Sequence, residues 1–170
     1  MFDLIMLATL FEGPKHGYQI KREAGFILGE ENLHNNLVYP LLKKFAAEGW
    51  VVKKAMPGER GQTRQQYAIT ALGKATLIRR LNEFGEIEAK SFDAFIVRVG
   101  MFELLATSDR ERIMTAREEH LQRRSHALEG LQGKMDVGLY GGEVVDFLKE
   151  DIQSELGWIR RMRRLAPLEE

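Results

Sequence analysis

The sequence of 170 residues has no cysteine. Disulfides and thiolate metal sites are therefore excluded. No stretch approaches the roughly 20 consecutive apolar residues that a membrane helix needs. Neither sign of charge dominates, because 25 Lys+Arg balance 25 Asp+Glu. A glycine-rich phosphate loop, a nucleophile elbow and a cluster of metal ligands are all missing, which argues against an enzyme and against any cofactor. The pair His120 and His126 lies on nearly opposite sides of a helix, so no zinc site is expected. The apolar segment Met1 to Phe11 contains Asp3 and lacks a basic leader and a small-residue cleavage site, so a signal peptide is not read there. A cytoplasmic protein without a membrane partner is the expectation.

What remains is the composition of a soluble globular chain, with 44% hydrophobic and 29% charged residues. The zero net charge conceals an asymmetry. Residues 1–80 carry 12 Lys+Arg against 7 Asp+Glu, a balance of +5, and residues 81–170 carry 13 against 18, a balance of −5. A basic half points to an acidic partner for that half.

Phe2 to Phe11 is apolar nearly all round, the mark of a buried helix, and Gly13-Pro14 stops it. A second helix is expected over His16 to Leu28, with Tyr18, Ile20, Ala24, Ile27 and Leu28 inside. A third is expected from about Leu37 to Glu48. Its Val38, Leu41, Leu42 and Phe45 repeat at i, i+3, i+4, i+7, with Asn35 or Asn36 as N-cap and Gly49 as the residue beyond the end. Pro40 is then placed in the first turn of this helix, where its missing N–H costs nothing. Trp50 to Met56 and Arg64 to Thr70 read as strands of a hairpin with the tip Pro57-Gly58-Glu59-Arg60-Gly61-Gln62. Thr70 is the N-cap of a helix running to about Phe84.

The remainder reads as helical. Phe92, Phe95, Ile96, Val99 and Phe102 form one apolar face, and Ser108-x-x-Glu111 reads as a capping box opening a long helix. After a glycine-containing break from Gly133 to Gly142, Val145, Leu148, Ile152, Leu156, Ile159 and Met162 repeat with coiled-coil-like spacing.

Three helices followed by a hairpin are the elements of a winged helix-turn-helix, in which the third helix is the recognition helix. With Val38, Leu41, Leu42 and Phe45 inside, Asn35, Asn36, Tyr39, Lys43 and Lys44 face outward. Asparagine pairs bidentately with adenine, and tyrosine and lysine suit phosphate contacts. Arg60, Gln62 and Arg64 at the hairpin reach toward a DNA backbone or minor groove. These eight residues are the candidate DNA-binding set.

Three stretches resemble a known family. Glu12-Gly13-Pro14-x-His16-Gly17-Tyr18-x-Ile20-Lys21, Leu37-Val38-Tyr39-Pro40-Leu41-Leu42-Lys43-Lys44-Phe45 with Glu48-Gly49-Trp50, and Tyr67-x-Ile69-Thr70-x-x-Gly73 look like the signatures of PadR-type transcriptional regulators, in the right order and spacing over about residues 3–80. The second half, including Glu155-Leu156-x-Trp158-Ile159, is similar to the C-terminal dimerisation region of the longer members. The resemblance implies a homodimer that presents two recognition helices to a pseudo-palindromic operator in double-stranded DNA. It also implies repression relieved by a small-molecule effector, phenolic acids in the founding members. No residue set here identifies an effector.

The reading is therefore a mainly α protein with a small β-wing: a winged helix-turn-helix over 1–86 and an α-helical dimerisation domain over 87–170. The alternative left open is a winged helix that binds protein and not nucleic acid, since fold does not fix function.

Overall fold

The structure, a computed structural model, describes residues 1–29, 33–57, 63–132 and 138–165. Arg60, Gln62 and the hairpin tip lie outside the described residues. The chain forms two compact units, 1–83 and 84–170.

The first unit opens with α1 (Phe2–Thr9), whose Leu4, Ile5, Met6 and Leu7 are buried, as a helix apolar on all sides must be. Asp3 on α1 pairs with Arg80 near the end of the unit. A two-residue strand β1 (Lys15–His16) follows. Two residues are too few to carry a period, and the sequence gives no sign of β1. α2 (Gly17–Leu28) starts at once, with His16 as N-cap and the Gln19 side chain accepting the His16 N–H at 2.8 Å. Gly29 ends it in the left-handed region, at φ +68°.

The inner face of α2 differs from the sequence reading. Gly17, Ile20, Ala24 and Gly25 are buried, whereas Tyr18 and Ile27 are exposed. The buried stripe is narrow and mostly of small residues, with Gly17 against Tyr39 of α3, and the large side chains beside it turn outward.

α3 runs Asn35–Ala47 with His34 as N-cap. The N-cap is thus one residue earlier than Asn35 or Asn36, and Pro40 is the sixth helical residue rather than a member of the first turn. The pyrrolidine leaves the Asn36 carbonyl without its i+4 donor. Val38, Leu42 and Phe45 are buried as the period requires, and Gly49 takes φ +72° just past the end.

β2 (Val51–Pro57) and β3 (Thr63–Ile69) pair antiparallel from Val51 opposite Ile69 to Pro57 opposite Thr63. β1 adds to the other side of β3, giving the sheet order β1-β3-β2 with Lys15 opposite Tyr67. The Thr70 hydroxyl then caps α4 (Ala71–Asn82), accepting the Gly73 N–H at 3.0 Å. A Cβ on Gly73 would lie 2.1 Å from the Trp50 carbonyl oxygen, so only glycine lets α4 start against the end of the α3–β2 turn. α4 ends at Asn82, short of Phe84, which packs with Phe95 in the second unit at 6.2 Å between ring centroids. The first unit is the expected winged helix-turn-helix, and the molecule is mainly helical with this small wing.

The second unit contains α5 (Glu86–Lys90), α6 (Phe92–Val99), a 3-10 turn at Phe102–Leu104, α7 (Thr107–Gln132) and α8 (Gly138–Leu165). Ser91 caps α6 through the Ala94 N–H. The buried face of α6 is Ala94, Phe95, Val97 and Arg98, so Phe92 and Ile96 point outward, contrary to the sequence reading. α7 begins one residue before Ser108, and Ala106 O accepts from the Asp109 and Arg110 N–H groups. Ser108 is therefore within the first turn and is not its N-cap. α8 begins at Gly138, φ +64°, so Gly141 and Gly142 lie within the helix and not in a break.

α7 and α8 run antiparallel. Ile113, Met114, Leu121 and Leu128 meet Val145, Ile152, Leu156 and Ile159 in the core of this unit. Two charged anchors fix the register of this pair. Arg117 grips Glu155 bidentately at 2.7 and 2.8 Å and also donates to Ala89 O at 2.6 Å. Arg163 reaches Glu111 and Glu118 at 2.8 and 2.5 Å. The arginines near the end of α8 thus include one spent on binding α7 in the same chain.

Candidate nucleic-acid interface

The outer face of α3 is built as its period demands. Asn35, Asn36, Tyr39, Lys43 and Lys44 are all exposed, and Arg64 on β3 is exposed as well. The two asparagines differ. The Asn35 side-chain oxygen accepts from Lys21 at 3.1 Å, whereas the Asn36 amide has no protein partner among the described residues. Asn36 therefore keeps both donor and acceptor open, the arrangement bidentate adenine recognition uses.

Tyr39 is joined to more of the unit than the α3 pattern indicates. Its ring lies against the start of α2, where a Cβ on Gly17 would stand 2.8 Å from Tyr39 Cε1. Gly17 is thus the space that the Tyr39 ring occupies. Around this contact a cleft of about 540 Å³ is lined by His16, Tyr18, Tyr39, Lys53, Arg64 and Tyr67. His16 closes one side, with its Nδ1 3.0 Å from Gln65 O and its ring stacked on Tyr18 at 6.0 Å. Lys53 stands opposite Tyr67 in the β2–β3 register. Burial pushes the Tyr67 phenol up, and proximity to Tyr39 adds to this, so its hydroxyl stays protonated and able to donate.

The charges divide by place. Lys15 is held by Glu23 and Glu12, Arg79 by Glu83, and Arg80 by Asp3. Lys43, Lys44, Lys53 and Arg64 have no ion-pair partner among the described residues. The described cations on the α3 face and at the wing are thus among those left unpaired. The N-terminus of α2 adds its unsatisfied N–H groups to the same cleft, so the region is a chemically suitable anion site.

Of the eight candidates, the structure brings Tyr39 and Arg64 to one cleft and sets Asn35, Asn36, Lys43 and Lys44 on the α3 surface. Arg60 and Gln62 lie outside the described residues. Sequence reasoning missed His16, Tyr18 and Lys53 as members of the cleft. A signal existed for Tyr18, since an aromatic directly after Gly17 falls outside the narrow Gly17–Ile20–Ala24 stripe. None existed for Lys53, whose place depends on strand register.

Residues 6–79 match the model of the transcriptional regulator PadR-like family. No curated protein matches the chain. Among solved structures, the chain is similar to Bacillus subtilis PadR in complex with operator DNA, at 18% identity over 96% of this chain and 97% of that one, TM-score 0.47. It is also similar to a transcriptional regulator from Clostridium thermocellum, at 24% identity over 48% and 79%, TM-score 0.42. A third is H. salinarum RosR, at 25% identity over 67% and 86%, TM-score 0.43. At these TM-scores the three likenesses add nothing to the family match, which bears out the resemblance read from the three sequence motifs.

Proposed function

We propose that this chain, whose residues 6–79 match the transcriptional regulator PadR-like family, binds duplex DNA sequence-specifically as a homodimer and acts as a repressor released by a small-molecule effector. The observation that carries the reading is the set Lys43, Lys44, Lys53 and Arg64, without ion-pair partners among the described residues, around the open Asn36 and the Tyr39 cleft, while Lys15, Arg79 and Arg80 elsewhere in the winged helix are held by carboxylates. α3 enters the major groove with Asn36 at base edges. Lys43 and Lys44 meet phosphates, as do Arg60 and Arg64 at the wing, with Gln62 and Asn35 beside them. The His16–Tyr39–Lys53 cleft takes a backbone phosphate at the α2 N-terminus.

The dimer is supported by α8. Leu139, Tyr140, Val144 and Phe147 are 78%, 84%, 57% and 67% exposed on one helix. Tyr140, Val144 and Phe147 follow the i, i+4, i+7 spacing of a single face, which a second copy would cover. Two symmetric subunits would then present two recognition helices to a pseudo-palindromic site.

The test is fluorescence anisotropy with a duplex from upstream of the chain's own gene and an unrelated duplex, across a salt series. Binding orders of magnitude tighter to the first, with a steep salt dependence, is the expected result. Lys43→Ala should weaken binding to all sequences alike and flatten the salt slope by about one unit. No binding to either duplex at low salt overturns the reading in favour of a protein-binding winged helix.

A further inference from the structure

The second unit contains a cleft of about 470 Å³ that the DNA-binding reading leaves unused. It lies within residues 84–170, among α5, α6, α7 and α8. Its apolar wall is Phe92, Ile96 and Trp158. Trp158 is fixed there by an edge-to-face contact with the buried Phe95, centroids 5.8 Å apart at 79°. Phe92 and Ile96 are the two α6 side chains that turn away from the core, about half exposed, toward this cleft.

The polar lining is strongly unequal. Arg117 is on the floor, but Glu155 and Ala89 O already occupy its donors, so this pair is closed. Three further cations line the cleft, Lys90, Arg124 and Arg161, and none has an ion-pair or hydrogen-bond partner among the described residues. The only other carboxylate in the lining is Asp151. Arg161 contrasts with Arg163 two residues on, which is neutralised by Glu111 and Glu118. Two of these cations, Arg124 and Lys90, also act on His120 nearby. The His120 imidazole is driven down by burial first, then by Arg117, Arg123, Arg124 and Lys90.

An apolar ring wall beside an excess of two unpaired positive charges specifies a ligand. A neutral ring would leave the cations unanswered, and inorganic phosphate would leave the wall wet. A monocarboxylate would answer half the charge. We propose that this cleft binds a ring-bearing dianion of the aryl phosphate or mononucleotide class. The ring lies on Trp158 and Phe92, and the phosphate is held by Arg124 and Arg161 with Lys90 at the rim. Arginine favours this role because its planar fork meets phosphate bidentately. The inference deepens the effector part of the reading above and depends on that reading only for its regulatory consequence.

The test is isothermal titration calorimetry on the full chain with phenyl phosphate, benzoate and inorganic phosphate. Phenyl phosphate is expected to bind one per chain, about tenfold tighter than either of the others. Arg124→Gln/Arg161→Gln should weaken phenyl phosphate at least tenfold, as expected for lost charge-assisted bonds. Both side chains are exposed, so folding is retained. Phe92→Ala, also exposed, should weaken phenyl phosphate several-fold and leave inorganic phosphate unchanged. Absence of heat with phenyl phosphate, equal binding of benzoate, or equal affinity in the double arginine variant would each overturn the proposal. Failure of DNA binding in the anisotropy experiment, with these titrations intact, would sink the repressor reading while supporting the cleft.

Discussion

The two units are held together by different means. In the first, no helix among the described residues exceeds 13 residues, and several ends are set by a particular local device: His16 and Gln19 at α2, Gly29 and Gly49 in left-handed conformations, Thr70 and Gly73 at α4. In the second, helices of 26 and 28 residues are registered by distant charges, Arg117 with Glu155 and Arg163 with Glu111 and Glu118. Local devices require specific residue types at fixed spacing, and those are what a family motif records. Distant charge pairs and an apolar period can be met by many sequences. The family match accordingly ends at residue 79, just before the second unit begins at 84.

The contrast is broken most severely at Arg117. Its side chain is 3% exposed and that of Glu155 is 9% exposed, so removing one partner strands a buried charge. Arg117→Met should cost about 3–5 kcal/mol. The double variant Arg117→Met/Glu155→Leu should recover much of this, because no charge is left unpaired. Denaturant unfolding measures both, and hydrogen exchange resolved by unit should locate the loss in residues 84–170. A single variant that unfolds like the wild type would mean that the pair does not anchor α7 to α8.

Glycine sharpens the same comparison with one substitution placed twice. At Gly73 an added Cβ meets the Trp50 backbone at 2.1 Å, and Gly73→Ala should destabilise by about 3 kcal/mol as overpacking against main chain. At Gly130, within α7, the Cβ meets nothing within 4 Å. Gly130→Ala should stabilise by about 0.5–1 kcal/mol, the helix-propensity gain alone. Thermal melts of the two variants should move in opposite directions.

This difference also governs what could be read without coordinates. The winged-helix order, the α3 period, the Thr70 cap and the outward set Asn35, Asn36, Tyr39, Lys43 and Lys44 were legible, because each follows from spacing within one element. The cleft around Tyr39 was not, because His16 and Lys53 reach it through pairing with β3, and a two-residue strand has no pattern to detect. Phe92 and Ile96 misled for a related reason. Their spacing with Phe95 suits an apolar face, but the α6 core stripe passes through Ala94, Phe95, Val97 and Arg98, whose guanidinium lies over the Phe84 ring. Ser108 has the spacing of a cap because Glu111 completes the box, yet the first turn is already closed on Ala106.

The smallest effect expected concerns a distant charge pair placed in the unit otherwise built from local devices. Asp3 on α1 meets Arg80 near the end of α4, across 77 residues of sequence. Burial raises the Asp3 pKa, but the N-terminal ammonium and Arg80 outweigh it, and the carboxyl titrates below its ordinary value of 3.8. A carboxyl depressed in the folded state binds its proton more readily when unfolded. Its stabilisation is therefore complete above the unfolded value and is lost as pH falls below 3.8 toward the folded one. Both side chains are about a quarter exposed, so solvent screens the pair and Asp3→Asn should cost less than about 1 kcal/mol at neutral pH. The wild type and variant should differ by this amount from pH 5 to 8 and converge as the acid limb descends toward pH 2. A gap that persists unchanged at low pH would assign the loss to packing at the start of α1 and not to charge. A gap that vanishes in high salt at neutral pH would show that the Arg80 contact is a surface pair with no part in docking α1 on α4.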